Sequence, residues 1–175
     1  MKRWLILLSV SCVVFAGVAN ASVQMGDTEV DLLGTWMTQN AVGGGSADTW
    51  AIAGAVGYFV TDNIQVQGAA MWASIDTGNS NDLYAIGGRA KYHFMPTNQL
   101  VPYIGGQVMF ASLDSDDLGA NVDGILWGPV LGARYELNDM NDFYIEYWYE
   151  LFSGDLGDVI DDGHTVMFGL VHQFK

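Results

Sequence analysis

The sequence predicts an all-β fold, an eight-stranded antiparallel up-and-down transmembrane β-barrel. Beyond the first 21 residues the apolar side chains recur with a period of two, not 3.6, in eight stretches separated by Gly, Asn, Asp and Pro. Each stretch is about eleven residues. At about 3.3 Å per residue and a tilt of about 40° it covers about 28 Å, close to the hydrocarbon thickness of a bilayer. Sandwich strands are nearer five or six residues. The 22 glycines are scattered along the chain, which disfavours helix interiors.

The first element is a leader. Met1-Lys2-Arg3 supplies positive charge, 4–19 is free of charge, and Ala19-Asn20-Ala21 precedes Ser22. That is the pattern of a secretory signal peptide, so cleavage is expected between Ala21 and Ser22. The expected organisation is a signal peptide over 1–21 and a barrel domain over 22–175. A retained anchor, or a lipoprotein acylated at Cys12, are the rival readings; Ser9-Val10-Ser11 does not resemble a lipobox. Cys12 is the only cysteine, so the processed chain has no disulfide and no thiol nucleophile.

The strands follow in order, at about 29–39, 49–60, 64–75, 83–94, 100–113, 124–137, 142–152 and 164–174. The fourth is clearest: Tyr84, Ile86, Gly88, Ala90, Tyr92 and Phe94 lie in one phase, and Ala85, Gly87, Arg89, Lys91 and His93 in the other. The apolar phase is assigned to lipid and the small and polar phase to the lumen. Connections at 61–63, 95–99 and 138–141 are short, and those at 40–48, 76–82, 114–123 and 153–163 are longer. Short turns belong to the periplasm and long loops to the outside. Lipid allows only helices or closed sheets, and eight strands is a small closed solution filled by side chains.

Aromatic residues at strand ends predict two girdles at the membrane interfaces. The outer set is Trp36, Trp50, Trp72, Tyr84, Phe110, Trp127 and Tyr149; the inner set is Tyr58, Tyr92, Tyr135, Phe143 and Phe174, with Phe94 beside them. Trp148 breaks the pattern by falling on the lumen phase.

Charge narrows the function. Over 22–175, twenty acidic residues face only Arg89, Lys91, Arg134 and Lys175, a net charge of −16. Such a surface repels phosphate backbones and excludes nucleic acid as a partner. Arg89, Lys91, Arg134, Glu136, Glu146 and Glu150 fall on the lumen phase, since lipid penalises charge at mid-depth. They predict an internal ion-pair network, with Arg134 and Glu146 as partners on neighbouring strands. The network reads as a plug, or as a gate whose pairs exchange. Ala51, Ala53, Ala55, Gly57, Ala69, Ala73, Ala85 and Gly87 leave room for a lumen cavity.

Other chemistry is thin. Asp114, Asp116 and Gly119 start like an EF-hand loop, which then fails at Leu118 and Ile125. Together with Asp117 and Asp123, and with Asp155, Asp158, Asp161 and Asp162, they read as solvated acidic loops; weak divalent bridging to lipopolysaccharide is the alternative. Gly43-Gly44-Gly45 reads as a loop tip. His164 with Thr165, Ser153 and Asp161 is the only conceivable nucleophile–base–acid set; His93 and His172 are the remaining histidines. No zinc spacing, nucleotide motif or phosphate loop occurs. No catalytic residue, cofactor or metal site is assigned.

Gly57-Tyr58-Phe59-Val60-Thr61-Asp62-Asn63, Val101-Pro102-Tyr103-Ile104-Gly105-Gly106 and Gly132-Ala133-Arg134-Tyr135-Glu136-Leu137 resemble segments of the small outer-membrane barrels of the OmpA, OmpX and OmpW type, the broad "porin family". The resemblance covers 22–175. It implies a place in the cell outer membrane, contact with its lipid and lipopolysaccharide, and a monomer. The ending Gly169-Leu170-Val171-His172-Gln173-Phe174 resembles the family's C-terminal signal for the assembly machinery, with Lys175 added after the aromatic. Three roles are expected in descending order: a structural or interaction protein, a narrow channel or conduit for ions or small hydrophobic molecules, and a lipid A-modifying enzyme.

Overall fold

The computed structural model describes residues 23–41, 46–76, 80–115 and 120–174, without the side chains of 36–49, 75–80 and 120. The leader, the Ala21/Ser22 junction, Gly43 to Gly45, Asp116 to Gly119 and Lys175 lie outside the described residues, as does the Trp36 side chain. Eight strands form one closed sheet in chain order. They are β1 (Thr28–Ala41), β2 (Ser46–Phe59), β3 (Ile64–Asp76), β4 (Ser80–His93), β5 (Leu100–Ser115), β6 (Ala120–Asn138), β7 (Asn141–Gly154) and β8 (Ile160–Phe174). Every neighbouring pair is antiparallel, and β1 closes on β8 from Thr28↔Phe174 to Ala41↔Ile160. Closure leaves no unpaired edge, as hydrocarbon requires.

Burial alternates along the strands. On β5 Tyr103, Gln107, Met109, Ala111 and Leu113 are buried, whereas Ile104, Val108 and Phe110 are exposed. Exposed positions carry the large apolar residues; Leu32, Ile86 and Phe110 are 69%, 66% and 73% exposed. A water-soluble sheet has the opposite sidedness.

The strands are longer than the expected ones at the end away from the termini. Most of 40–48, 76–82, 114–123 and 153–163 is paired strand, leaving 42–45, 77–79, 116–119 and 155–159 between strands. A 3-10 helix, Asp155–Asp158, sits in the last connection. Asp114, Asp123, Asp161 and Asp162 therefore lie on strands. Hydrophobic alternation fades where neither face meets lipid, but the backbone ladder continues as long as partners are in register. That is why the sequence reads as loop where the chain is sheet.

Candidate functional site

The lumen divides along the barrel axis. At the end that carries the termini, the inward positions are Glu29 and Asp31 on β1, Gln65 and Gln67 on β3, Arg89, Lys91 and His93 on β4, Arg134 and Glu136 on β6, and Asp142 and Glu146 on β7, all buried. Alternation puts them there: each is an even step from the next on its own strand.

Two ion clusters brace the wall. Glu146 is the first hub. Arg89 Nη2 donates to its Oε2, Lys91 Nζ lies 2.5 Å from Oε1, the Tyr103 hydroxyl donates to Oε1 at 2.9 Å, and Trp148 Nε1 donates to Oε2 at 2.6 Å. Because β4 and β7 lie three strands apart, the Arg89 and Lys91 contacts cross the lumen, while Tyr103 comes from β5 and Trp148 from β7 itself. Arg134 is the second hub. Its Nε and Nη2 both donate to Asp142 Oδ2, the former at 2.7 Å, and its Nη1 reaches Glu29 Oε2 at 3.1 Å. Gln65 Nε2 donates to Glu29 Oε1, Gln67 Nε2 to Asp31 Oδ2 at 2.8 Å, and Gln173 Nε2 to Asp142 at 2.8 Å. Lys91 Nζ, 3.9 Å from Asp31, also ties the Glu146 cluster to β1. Buried charges held this way survive desolvation only because each is paired and hydrogen-bonded.

The expected Arg134–Glu146 pair does not form. Arg134 lies opposite Tyr144, so Asp142 and Glu146 are its two diagonal neighbours on β7. Arg134 takes Asp142 and reaches across to Glu29, while β4 occupies Glu146 with two cations. Glu150 also departs from the expected network: it is fully buried, accepts from Thr165 Oγ1 at 2.6 Å, and has no ion pair among the described residues. Glu136 is buried on β6 beyond Arg134. Sequence reading left out Glu29, Asp31 and Asp142; the β1 phase Glu29, Asp31, Leu33, Thr35 was the signal that could have found the first two.

The opposite end of the lumen is mainly apolar, with Thr35, Glu150 and Thr165 as buried polar side chains. Leu33, Met71, Leu83, Met109, Leu126, Trp148, Phe152, Leu156 and Met167 pack with Ala51, Ala53, Ala55, Ala69, Ala73 and Ala85 in one cluster. The alanines do not open the expected cavity. They lie on β2, β3 and β4, facing the larger residues of β6, β7 and β8, and all are buried. Gly57 and Gly87 are likewise filled: a Cβ there would meet Gln65 at 2.6 Å and Met109. Trp148 joins the halves, its ring 4.5 Å beneath the Arg89 guanidinium.

On the outside, Trp50, Trp72, Tyr84, Phe110 and Trp127 are exposed towards the end away from the termini, with Tyr149 partly exposed. Tyr58, Tyr92 and Phe174 are exposed towards the other end, with Tyr135 and Phe143 partly so. His164 points outward, not towards Thr165. Tyr147 Oη is 2.6 Å from its Nδ1, Asp162 is 3.9 Å from its Nε2, and Tyr149 stacks on it at 5.2 Å. Thr165 faces the lumen, and Ser153 bonds the Ile125 carbonyl at 3.4 Å. The conceivable His164, Thr165, Ser153, Asp161 set is thus split across the wall.

A family model described as outer membrane protein beta-barrel domain matches residues 6–174. Neisserial surface protein A is similar in structure, with a TM-score of 0.70 and 19% identity, over 85% of this chain and 99% of that one. A de novo designed transmembrane β-barrel gives 0.51 at 15% identity over 87% and 99%, and OprG from Pseudomonas aeruginosa 0.50 at 11% over 88% and 98%. At these identities the likeness shows the fold. No curated protein matches.

Proposed function

The chain belongs to the outer membrane protein beta-barrel domain family and resides in the cell outer membrane, and from that premise we propose that it is a closed, non-conducting barrel with a structural or interaction role at the cell surface. The observation that carries this is the filled lumen. A solute would have to cross the Glu146 and Arg134 clusters and then the packed residues from Met109 to Leu156. With the termini in the periplasm, the apolar half lies on the extracellular side and the aromatic girdles sit at the two interfaces.

The surface that meets partners is the extracellular rim. Asp114, Asp123, Asp155, Asp158 and Asp161 are exposed there, and the mature chain's basic residues are three lumen side chains and Lys175. Such a rim favours cationic partners and repels anionic ones. The outward residues meet outer-membrane lipid and lipopolysaccharide, and the ending of β8 is the segment the assembly machinery reads. The reading is non-catalytic. Planar-bilayer recording of the refolded protein tests it: a flat baseline is expected, and steady conductance steps would move the assignment to a narrow channel.

A further inference from the structure

We propose that the outer wall of β3 to β6 holds one lipid molecule whose headgroup carries an ammonium, seated along two hollows that follow one another on the lipid face. The depth of each hollow rests on the orientation proposed above.

The register places the hollows. The first has a volume of about 500 Å³, and its outward-phase lining is Ala70, Tyr84, Ile86, Phe110, Ser112 and Asp123. Tyr84 pairs with Ser112 and Ser112 with Asp123, at the level of the outer aromatic girdle. The second has a volume of about 790 Å³ and lies closer to the termini on the same strands. Ile86 pairs with Phe110 in the first, and the next outward pair, Gly88 with Val108, lines the second. Gly88 and Gly106 make that second hollow: a Cβ on either would meet nothing closer than 3.8 Å. In lipid, small residues let another molecule approach the backbone, and van der Waals contact drives the packing. Six residues of β5 separate Ser112 from Gly106, about 20 Å of strand and, at a tilt of about 40°, about 15 Å of depth. That is half of the roughly 30 Å hydrocarbon thickness, so a chain anchored beside Ser112 ends beside Gly106.

Charge selects the headgroup. Asp123 borders the first hollow, and Asp82 pairs with Asp114 on the outward row just beyond it. The basic side chains among the described residues, Arg89, Lys91 and Arg134, are buried in the lumen and do not reach this face. An anionic headgroup is repelled here and an ammonium attracted. Tyr84, 51% exposed, adds an aromatic face that favours the same cation. Among the described residues no group of three His, Cys, Asp or Glu side chains is close enough to hold a metal ion. The place therefore suits an ammonium tethered to an apolar chain, not a chelated divalent ion.

The test is lipid retention read by native mass spectrometry. The protein is refolded in micelles doped with equal amounts of phosphatidylethanolamine and phosphatidylglycerol of the same acyl chains. Both carry a phosphate, and only the first carries an ammonium. One phosphatidylethanolamine per barrel is expected to survive transfer, favoured about fivefold over phosphatidylglycerol. Asp123→Asn should about halve that ratio. Gly88→Leu with Gly106→Leu fills the second hollow and should abolish retention of both lipids. Heat-modifiable gel mobility checks folding, and Asp123→Asn decides if the double leucine variant does not fold. Equal retention of the two lipids by the unaltered barrel, a ratio that Asp123→Asn leaves unchanged, or undiminished retention in the folded double variant overturns the proposal. Retention reads the outer wall and conductance reads the lumen, so the two readings fail separately.

Discussion

The two halves of the lumen are filled on opposite principles. The half at the end of the termini is held by directional polar bonds, several of them between charged groups on strands that face each other across the axis, with Glu146 receiving four donors. The half away from the termini is held mainly by shape, with alanines of β2, β3 and β4 in one cluster with Leu126, Phe152 and Met167. The difference lies in tolerance. A buried charge network fails when one partner is lost, because the survivors are desolvated and unpaired. An apolar core loses only the removed contacts and the cavity left behind.

The largest expected effect follows from that contrast. Glu146→Ala leaves Arg89 and Lys91 without their shared carboxylate and should cost about 3–5 kcal/mol, read as a shift in the urea midpoint of the barrel folded in micelles. Replacing Arg89, Lys91 and Glu146 together by apolar residues of similar volume should cost less than Glu146→Ala alone; a triple variant that is worse would refute the desolvation account. In the other half, Leu83→Ala, at a fully buried position, should cost about 2–4 kcal/mol in the same assay. A loss below about 1 kcal/mol would mean that the half away from the termini is loosely packed.

Glycines sharpen the contrast between inside and outside. A Cβ on Gly132 would stand 2.5 Å from the Tyr103 ring that donates to Glu146, and one on Gly169 2.9 Å from the Tyr144 ring. Gly68 faces outward and a Cβ there meets nothing within 4 Å. Gly132→Ala should therefore destabilise by about 1–3 kcal/mol, and Gly68→Ala should stay within about 0.5 kcal/mol, by the same midpoint.

The sequence by itself determined the fold class, the eight strands and which phase of each faces lipid, because a two-residue period is written locally and a one-residue slip would turn every side chain to the wrong face. Trp148 on the lumen phase followed from the same count. Only the tertiary structure decided the partners. Closure brings β4 to β7 and β6 to β1 across the axis, so Arg89 and Lys91 find Glu146, and Arg134 finds Glu29. Neither separation in sequence nor adjacency of strands signals those meetings. The apolar filling of the half away from the termini was likewise hidden, since Ala51 or Ala73 reads the same whether it borders an open cavity or a methionine from the opposite wall.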